Sequence, residues 1–246
     1  MSVLGALKRL SKLGSTSYKN RKGFNTWLKS NPDGSYGQYY AHRAKARFEN
    51  GIPSGKTIGR FHRIPEQRER ALRFREILKN LGLRQEHVLV DYGSGSLFIG
   101  EVLMEYLNPG NYIAMDTIDH FYREALADMD PDFVASRQPT TLTISDDTLD
   151  EVRERDPDFV FSSAVLQHVP RHLIADYFSN MIHIANGGRI LIHHQVASRM
   201  NSTQYSWRYT EDQLRRDAES LGCRIQFAVG KGDIAIGNNL FELIKL

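Results

Sequence analysis

From residue 87 onward the chain alternates short apolar runs with amphipathic stretches, and no other feature restricts its fold as strongly. The runs at 87–91, 111–116, 140–145, 158–162 and 189–195 have the length of strands, and the stretches between them, 96–107, 119–128, 147–154 and 171–185, have the pattern of helices. Such alternation predicts an α/β fold with a doubly wound, mostly parallel sheet and helices on both faces. Pro65 suits a first helical position, and Ala71, Leu72, Phe74, Ile77, Leu78 and Leu81 follow at helical spacing until Gly82, so a helix is expected over 65–81. Thr210 with Gln213 makes a capping box for a helix at 211–221, and the runs "RIQFAV" and "LFELIKL" bring the expected strands to seven.

Charge divides the chain. Residues 1–80 hold 18 Lys/Arg against 5 Asp/Glu, while residues 81–246 hold 14 against 24, so a first third at +13 precedes a remainder at −10. Positive charge concentrated in this way attracts anions, and phosphate, nucleic acid, anionic lipid or a charged substrate all suit it. Residues 1–64 therefore read as a basic N-terminal arm or cap on a domain at 65–246, with a helical candidate near Tyr39–Phe48 and an interfacial-helix pattern in Val3, Leu4, Leu7, Leu10 and Leu13. No apolar run reaches the roughly 20 residues of a membrane span and no secretory signal is evident, so the cytoplasm is expected. Cys223 is the only cysteine, which leaves no intrachain disulfide and no cysteine-based zinc site.

The stretch "VLVDYGSGSLFIG", Val88 to Gly100, carries the chemistry. In a doubly wound sheet the loop after the first strand approaches the ligand, and Gly93, Ser94 and Gly95 lie in that loop, ahead of a helix N-terminus. About 20 residues on, "YIAMDT" ends a second strand with Asp116 and Thr117, where a carboxylate can accept from ribose hydroxyls. A dinucleotide fingerprint would place a third glycine at 98, but Phe98 stands there and the late glycine is Gly100. Asp91 precedes Gly93 by two residues, where its charge would oppose a pyrophosphate and would suit the cationic amino group of a bound amino acid.

The motifs "VLVDYGSGS", "NYIAMDT", "PDFVFSSAVLQHVP" and "NGGRILIHH" resemble, in order and spacing, those of the class I S-adenosylmethionine-dependent methyltransferases, over roughly residues 66–246. The loop reading Gly95-Ser96-Leu97 before a helix ending in Tyr-Leu-x-Pro-Gly is similar to a subgroup met in bacterial surface-glycan and natural-product pathways. The resemblance implies a Rossmann-like methyltransferase fold and S-adenosylmethionine as cofactor. It implies that Asp91, Gly93 and Gly95 hold the methionine portion and that Asp116 takes the ribose. Asp146 would take the adenine amino group, with Asp147 and Asp150 as alternatives, and Ser163 and Ala164 through His168 would border the acceptor. Leu97 stands where the family pattern has glycine.

Methyl transfer from a sulfonium needs a well-placed nucleophile, and an oxygen acceptor benefits from a base. His168 is the first candidate and His194 the second; His193 and His194 point to opposite faces of one strand, so at most one of them faces the cleft. His168 and His172 have ligand-like spacing, but Pro170 lies between them and no third ligand is evident, so no metal is expected. Tyr39, Tyr40 and Trp207 are cap packing or residues that close over the cofactor. The segment "SSAVLQH" lacks Asn-Pro-Pro-Tyr, Cys223 lacks a Pro-Cys context, and no paired glutamates follow, against base-amine, cytosine-C5 and protein-arginine chemistry. What remains is transfer to an O or N atom of a small molecule or glycan, with an anionic acceptor favoured by the basic arm. An RNA methyltransferase that uses the arm on phosphates is the second reading, and an inactive methyltransferase-like subunit the third.

Overall fold

The computed structural model of the protein describes residues 23–34, 36–50, 65–199, 201–202, 207–229 and 239–246. The apolar pattern at Val3–Leu13 and the basic residues Arg60 and Arg63 lie outside the described residues. Strands β1 (Leu89–Tyr92), β2 (Tyr112–Asp116), β3 (Thr140–Thr143), β4 (Phe159–Ser163) and β5 (Arg189–His194) pair in parallel, each within a residue or two of its expected bounds. A ribbon of β6 (Asn201–Ser202) with β7 (Trp207–Arg208) lies apart from them, and β8 (Cys223–Val229) and β9 (Asn239–Lys245) complete the main sheet. The order is β3-β2-β1-β4-β5-β9-β8, with β9 antiparallel to both neighbours. This is the expected seven-stranded, doubly wound Rossmann-like arrangement, and its order reverses between β1 and β4, where ligands of such sheets bind.

Strand alternation divides the interior in two. Leu89, Tyr112, Phe161 and Leu191 face α2 (Pro65–Asn80), α3 (Gly100–Tyr106) and α4 (Asp119–Asp128), packing on Phe74, Leu78, Leu103 and Tyr122. Beyond α4 comes α5 (Pro131–Arg137), which the sequence pattern does not predict. Asp130 caps α5 by accepting from Asp132 N at 3.0 Å, and none of its residues is buried. On the other face Val90, Ile113, Val160 and Ile192 meet α6 (Asp146–Glu154), α7 (Ile174–Ala185) and α8 (Glu211–Glu219) through Val152, Phe178, Met181 and Leu214. Ahead of them all, α1 (Tyr36–Glu49) contains the helical candidate near Tyr39 and rests on the sheet's carboxyl end, with Ala44 against Ile118 and Phe121.

Three boundaries differ from expectation for local reasons. The helix expected from 96 begins at Gly100, because Leu97 takes a left-handed φ of 54° and holds residues 96–99 in the loop. The stretch 171–185 starts as a 3-10 turn, Arg171–Leu173, before α7. Only half of the expected capping box forms: Gln213 N donates to Thr210 Oγ1 at 3.2 Å, while the Gln213 amide turns to Asp217 instead. No described helix is long and apolar enough to cross a membrane.

The reversed strand β9 is fastened by one ion pair. Arg189 donates from Nε and Nη2 to the two oxygens of Glu242 at 2.7 and 2.8 Å, lies over the Phe159 ring and donates to Leu81 O. Bidentate pairs of this geometry are the strong ones, and removal of one partner leaves the half-buried other without compensation. Arg189→Leu is expected to lower the unfolding free energy by about 1–3 kcal/mol, measured by urea denaturation.

Candidate functional site

At the end of β1 the chain turns through Gly93, with φ 82°, and Gly95, with φ 54°. Gly93 N and Ser94 N both donate to Met115 O, at 2.7 and 2.9 Å, which lays the loop across the end of β2. A Cβ at Gly93 would stand 2.2 Å from a Val165 methyl, so glycine is what lets this loop touch the segment after β4. The late glycine has an equally local cause. A Cβ at Gly100 would stand 2.2 Å from the Tyr112 hydroxyl, and that hydroxyl donates to Asp91 Oδ2 at 2.8 Å. Gly100 makes room for the phenol that holds Asp91.

Asp116 holds the other side of the loop. Its Oδ2 accepts from Gly95 N at 2.9 Å and its Oδ1 from Ile118 N at 3.0 Å. Both acids are buried. Burial pushes Asp91 up to about 7, a rise that the Tyr112 hydrogen bond opposes and the Asp116 charge adds to. Burial also raises Asp116, to about 6, against several hydrogen bonds that favour its charged form, the one from Gly95 first among them.

These groups wall a cleft of about 400 Å³ at the carboxyl ends of β1, β2 and β4. Ten of the expected site residues line it: Tyr40, Asp91, Gly93, Ser94, Gly95, Asp116, Thr117, Ser163, Ala164 and His168. Among the described residues the lining carries three aspartates, Asp91, Asp116 and Asp176, and no lysine or arginine. Ser94 Oγ is buried on this wall without a hydrogen-bond partner among the described residues. Tyr40 reaches over the cleft from α1, its ring 5.8 Å from that of His168, and burial with the nearby Asp116 charge pushes its phenol up to about 12.

Two expected residues lie elsewhere. Asp146 is exposed in the first turn of α6, outside the lining, because β3 ends at Thr143 and Ser145 becomes the helix cap. His194 does not line the cleft either; β5 buries it beside the Tyr209 ring at 6.0 Å, and burial lowers it to about 4. Its neighbour His193 faces the opposite core, with its Nδ1 3.0 Å from Ser163 Oγ and its ring edge-on to Phe74. Neither histidine of the strand faces the cleft, and both are held in the two interiors. Residues of α7 supply what the sequence reading missed. Asp176, Tyr177 and Asn180 line the cleft, and Asn180 Nδ2 donates to the hydroxyl of Tyr92 at 3.1 Å. Their helical spacing is visible in the sequence, but their partner on β1 is 88 positions away.

No family model matches the sequence, and a search of curated proteins gives no match. Solved structures do match. The magnesium protoporphyrin IX methyltransferase of Synechocystis PCC 6803, with bound SAH, is similar at a TM-score of 0.55 and 15% identity, over 94% of this chain and 98% of that one. The glycopeptide N-methyltransferase MtfA is similar at 0.53 and 12%, over 72% and 90%. The 1,6-didemethyltoxoflavin-N1-methyltransferase of Burkholderia thailandensis, with its acceptor and S-adenosylhomocysteine bound, is similar at 0.51 and 14%, over 82% and 88%. The chain has their fold.

The raised acidity constant of Asp91 has a consequence for stability. Its folded value, about 7, lies above the ordinary 3.8, so burial of this group is harmless below about pH 4, where the carboxyl is neutral in both states. Above that the unfolded chain ionises first, and the stability Asp91 contributes is lost progressively until the pH passes about 7. Asp91→Asn is therefore expected to stabilise the ligand-free protein at pH 8 by at most roughly 4 kcal/mol and to have little effect at pH 4, measured as chemical denaturation at the two pH values.

Proposed function

We propose that the chain is an S-adenosylmethionine-dependent methyltransferase acting on an O or N atom of a small-molecule or glycan-type acceptor. The charge of the cleft carries this reading: three aspartates, no lysine or arginine among the described lining residues, and a buried Ser94 hydroxyl without a hydrogen-bond partner among the described residues. A dinucleotide would set its pyrophosphate against Asp91, with Phe98 where its third glycine belongs. A sulfonium nucleoside with an amino-acid ammonium brings positive charge to the same wall. When bound, S-adenosylmethionine supplies a methyl group on a positively charged sulfur.

The residues divide the work by position. Asp91 and Ser94 suit the amino-acid end of the cofactor, Asp116 and Thr117 the ribose hydroxyls, and Ser163 and Ala164 close the wall at the end of β4. Tyr40 covers the cleft and excludes water, and His168 beside it is the base that takes a proton from the acceptor. The magnesium protoporphyrin, glycopeptide and toxoflavin enzymes named above act on small molecules and a glycopeptide, which supports that acceptor class here.

Residues 1–64 serve in this reading as a basic cap on the domain at 65–246, with α1 as its described helix. Arg43 and Arg47 both act electrostatically on Tyr40, so their charge reaches the rim of the cleft and favours an anionic acceptor. The same two arginines support the second reading, in which the cap holds RNA phosphates. A steep fall of RNA affinity with salt would favour it over the first. A cytoplasmic site is part of the proposal, and the buried free thiol of Cys223 accords with it.

Two experiments test the proposal. Calorimetry is expected to give binding of S-adenosylmethionine and S-adenosylhomocysteine and none of NAD, and Asp116→Ala to weaken both nucleosides by roughly 1–3 kcal/mol. Micromolar NAD binding without a response to the sulfonium compound would overturn the cofactor assignment. For the cap, Arg43→Gln combined with Arg47→Gln is expected to raise the acceptor KM several-fold, more at low salt than at high, and to leave cofactor affinity nearly unchanged. Equal loss of both would assign α1 to the cofactor instead.

A further inference from the structure

The part of the cleft that neither the acids nor the glycine loop accounts for runs from Tyr92 to α7. Ile144, Leu173 and Tyr177 give the same cleft apolar lining, and Tyr92 and Asn180 add two polar groups that meet each other. Asn180 Nδ2 donates to the Tyr92 hydroxyl at 3.1 Å. The Tyr92 oxygen is the acceptor in that bond, so its proton is left to be donated, and burial together with the Asp116 charge pushes the phenol up to about 12 and keeps that proton in place. Among the described residues the Asn180 amide bonds through its nitrogen alone, which leaves its carbonyl oxygen open. A donor thus stands beside an acceptor in a cleft that also has apolar lining.

The pair is held from below. Tyr177 Oη donates to Ser162 Oγ at 2.8 Å, Ser162 Oγ donates to Tyr92 O at 2.7 Å, and the Tyr177 ring meets the Tyr92 ring edge-on at 5.8 Å. These contacts hold the Tyr92 main chain and ring; in the orientation taken here the pair offers one acceptor and one donor, and a ligand with the opposite pattern strands those groups or must reverse the Asn180 amide.

The loop after β3 offers no rival. Ile144 is its contribution to the lining, Ser145 and Thr148 are engaged with each other in the cap of α6, and Asp146 is exposed on that helix. Asp176 lies one turn before Asn180 on α7, exposed at the rim.

A 6-aminopurine presents an exocyclic N–H donor next to a ring-nitrogen acceptor, the complement of an amide carbonyl next to a phenol. We propose that Asn180 and Tyr92 read this amino edge of the cofactor's purine, the role that the family resemblance gives to Asp146, with Asp147 and Asp150 as alternatives. The assignment rests on the methyltransferase reading of the same cleft. It gives Asn180 the exocyclic amino group and Tyr92 the adjacent ring nitrogen.

A deaminated ligand tests this directly. S-inosyl-L-homocysteine carries an oxygen in place of the amino group and a protonated ring nitrogen, so its edge has the reverse pattern. Calorimetry with the natural protein is expected to show S-adenosylhomocysteine bound about tenfold or more tightly than the inosyl compound. Asn180→Leu is expected to reduce that preference to about threefold or less, chiefly by weakening the adenosyl ligand, and Tyr92→Phe, which keeps the ring, to reduce it in the same direction. Asp146→Ala should leave the preference unchanged, and Asp116→Ala should weaken both ligands alike. Retention of the full preference by both Asn180→Leu and Tyr92→Phe, or its loss in Asp146→Ala or Asp176→Asn, would overturn the assignment. Binding of neither compound by the natural protein would overturn the cofactor reading, and this assignment with it.

Discussion

Two buried carboxylates at the ends of neighbouring strands fix the rest of the cleft. A carboxylate taken out of water must be hydrogen-bonded or lose its charge. Asp116 meets that demand with main-chain amides, Gly95 N on one oxygen and Ile118 N on the other, and so binds the loops after β1 and β2 into one unit. Asp91 has the single hydroxyl of Tyr112, with the Asp116 charge nearby. The difference in donors accounts for their order: Asp91 is held at about 7 and Asp116 at about 6, though both are buried. The described lining brings no lysine or arginine to either, which keeps the wall negative.

The backbone follows from that arrangement. Tyr112 can reach Asp91 because residue 100 has no Cβ, and the loop can lie against Val165 because residue 93 has none. Between them Leu97 takes the left-handed conformation at φ 54°, and across the cleft Ala164 does so at φ 60°. An L-residue in that region costs roughly 1–2 kcal/mol, and both positions lie where the chain must turn sharply at the end of a central strand. Strain of this kind gathers at functional sites and persists where packing over-determines it; Leu97 is fully buried and Ala164 N is tied to His193 O.

Much of this was legible in the sequence because it is periodic or local. The alternation of runs carries the sheet and both helix layers, and Asp91, Gly93, Gly95 and Asp116 stand at fixed offsets from the strands that present them. What was not legible depends on where an element stops or on which of two faces it turns to the cleft. Three aspartates follow β3 within seven residues, and the strand's end at Thr143 decides that Asp146 belongs to a helix surface. Alternation sends His193 and His194 to opposite sides, but both sides of β5 are interior. Helix α5 escaped because it is short and only Phe133 and Val134 pack, partly buried, against the core, so no apolar period marks it. Tyr92 and Asn180 meet only because the sheet order brings α7 over β1, a contact that no local pattern encodes.

Burial holds the Asp91 carboxyl at about 7, so it keeps its proton to far higher pH than an exposed aspartate. A cation that settles against it favours the ionised form and expels the remaining proton. Uptake of a cation by this cleft is then also a proton transfer to the solvent. The heat measured on mixing includes the ionisation enthalpy of whichever buffer receives that proton, and the apparent enthalpy changes between buffers while the affinity at fixed pH does not.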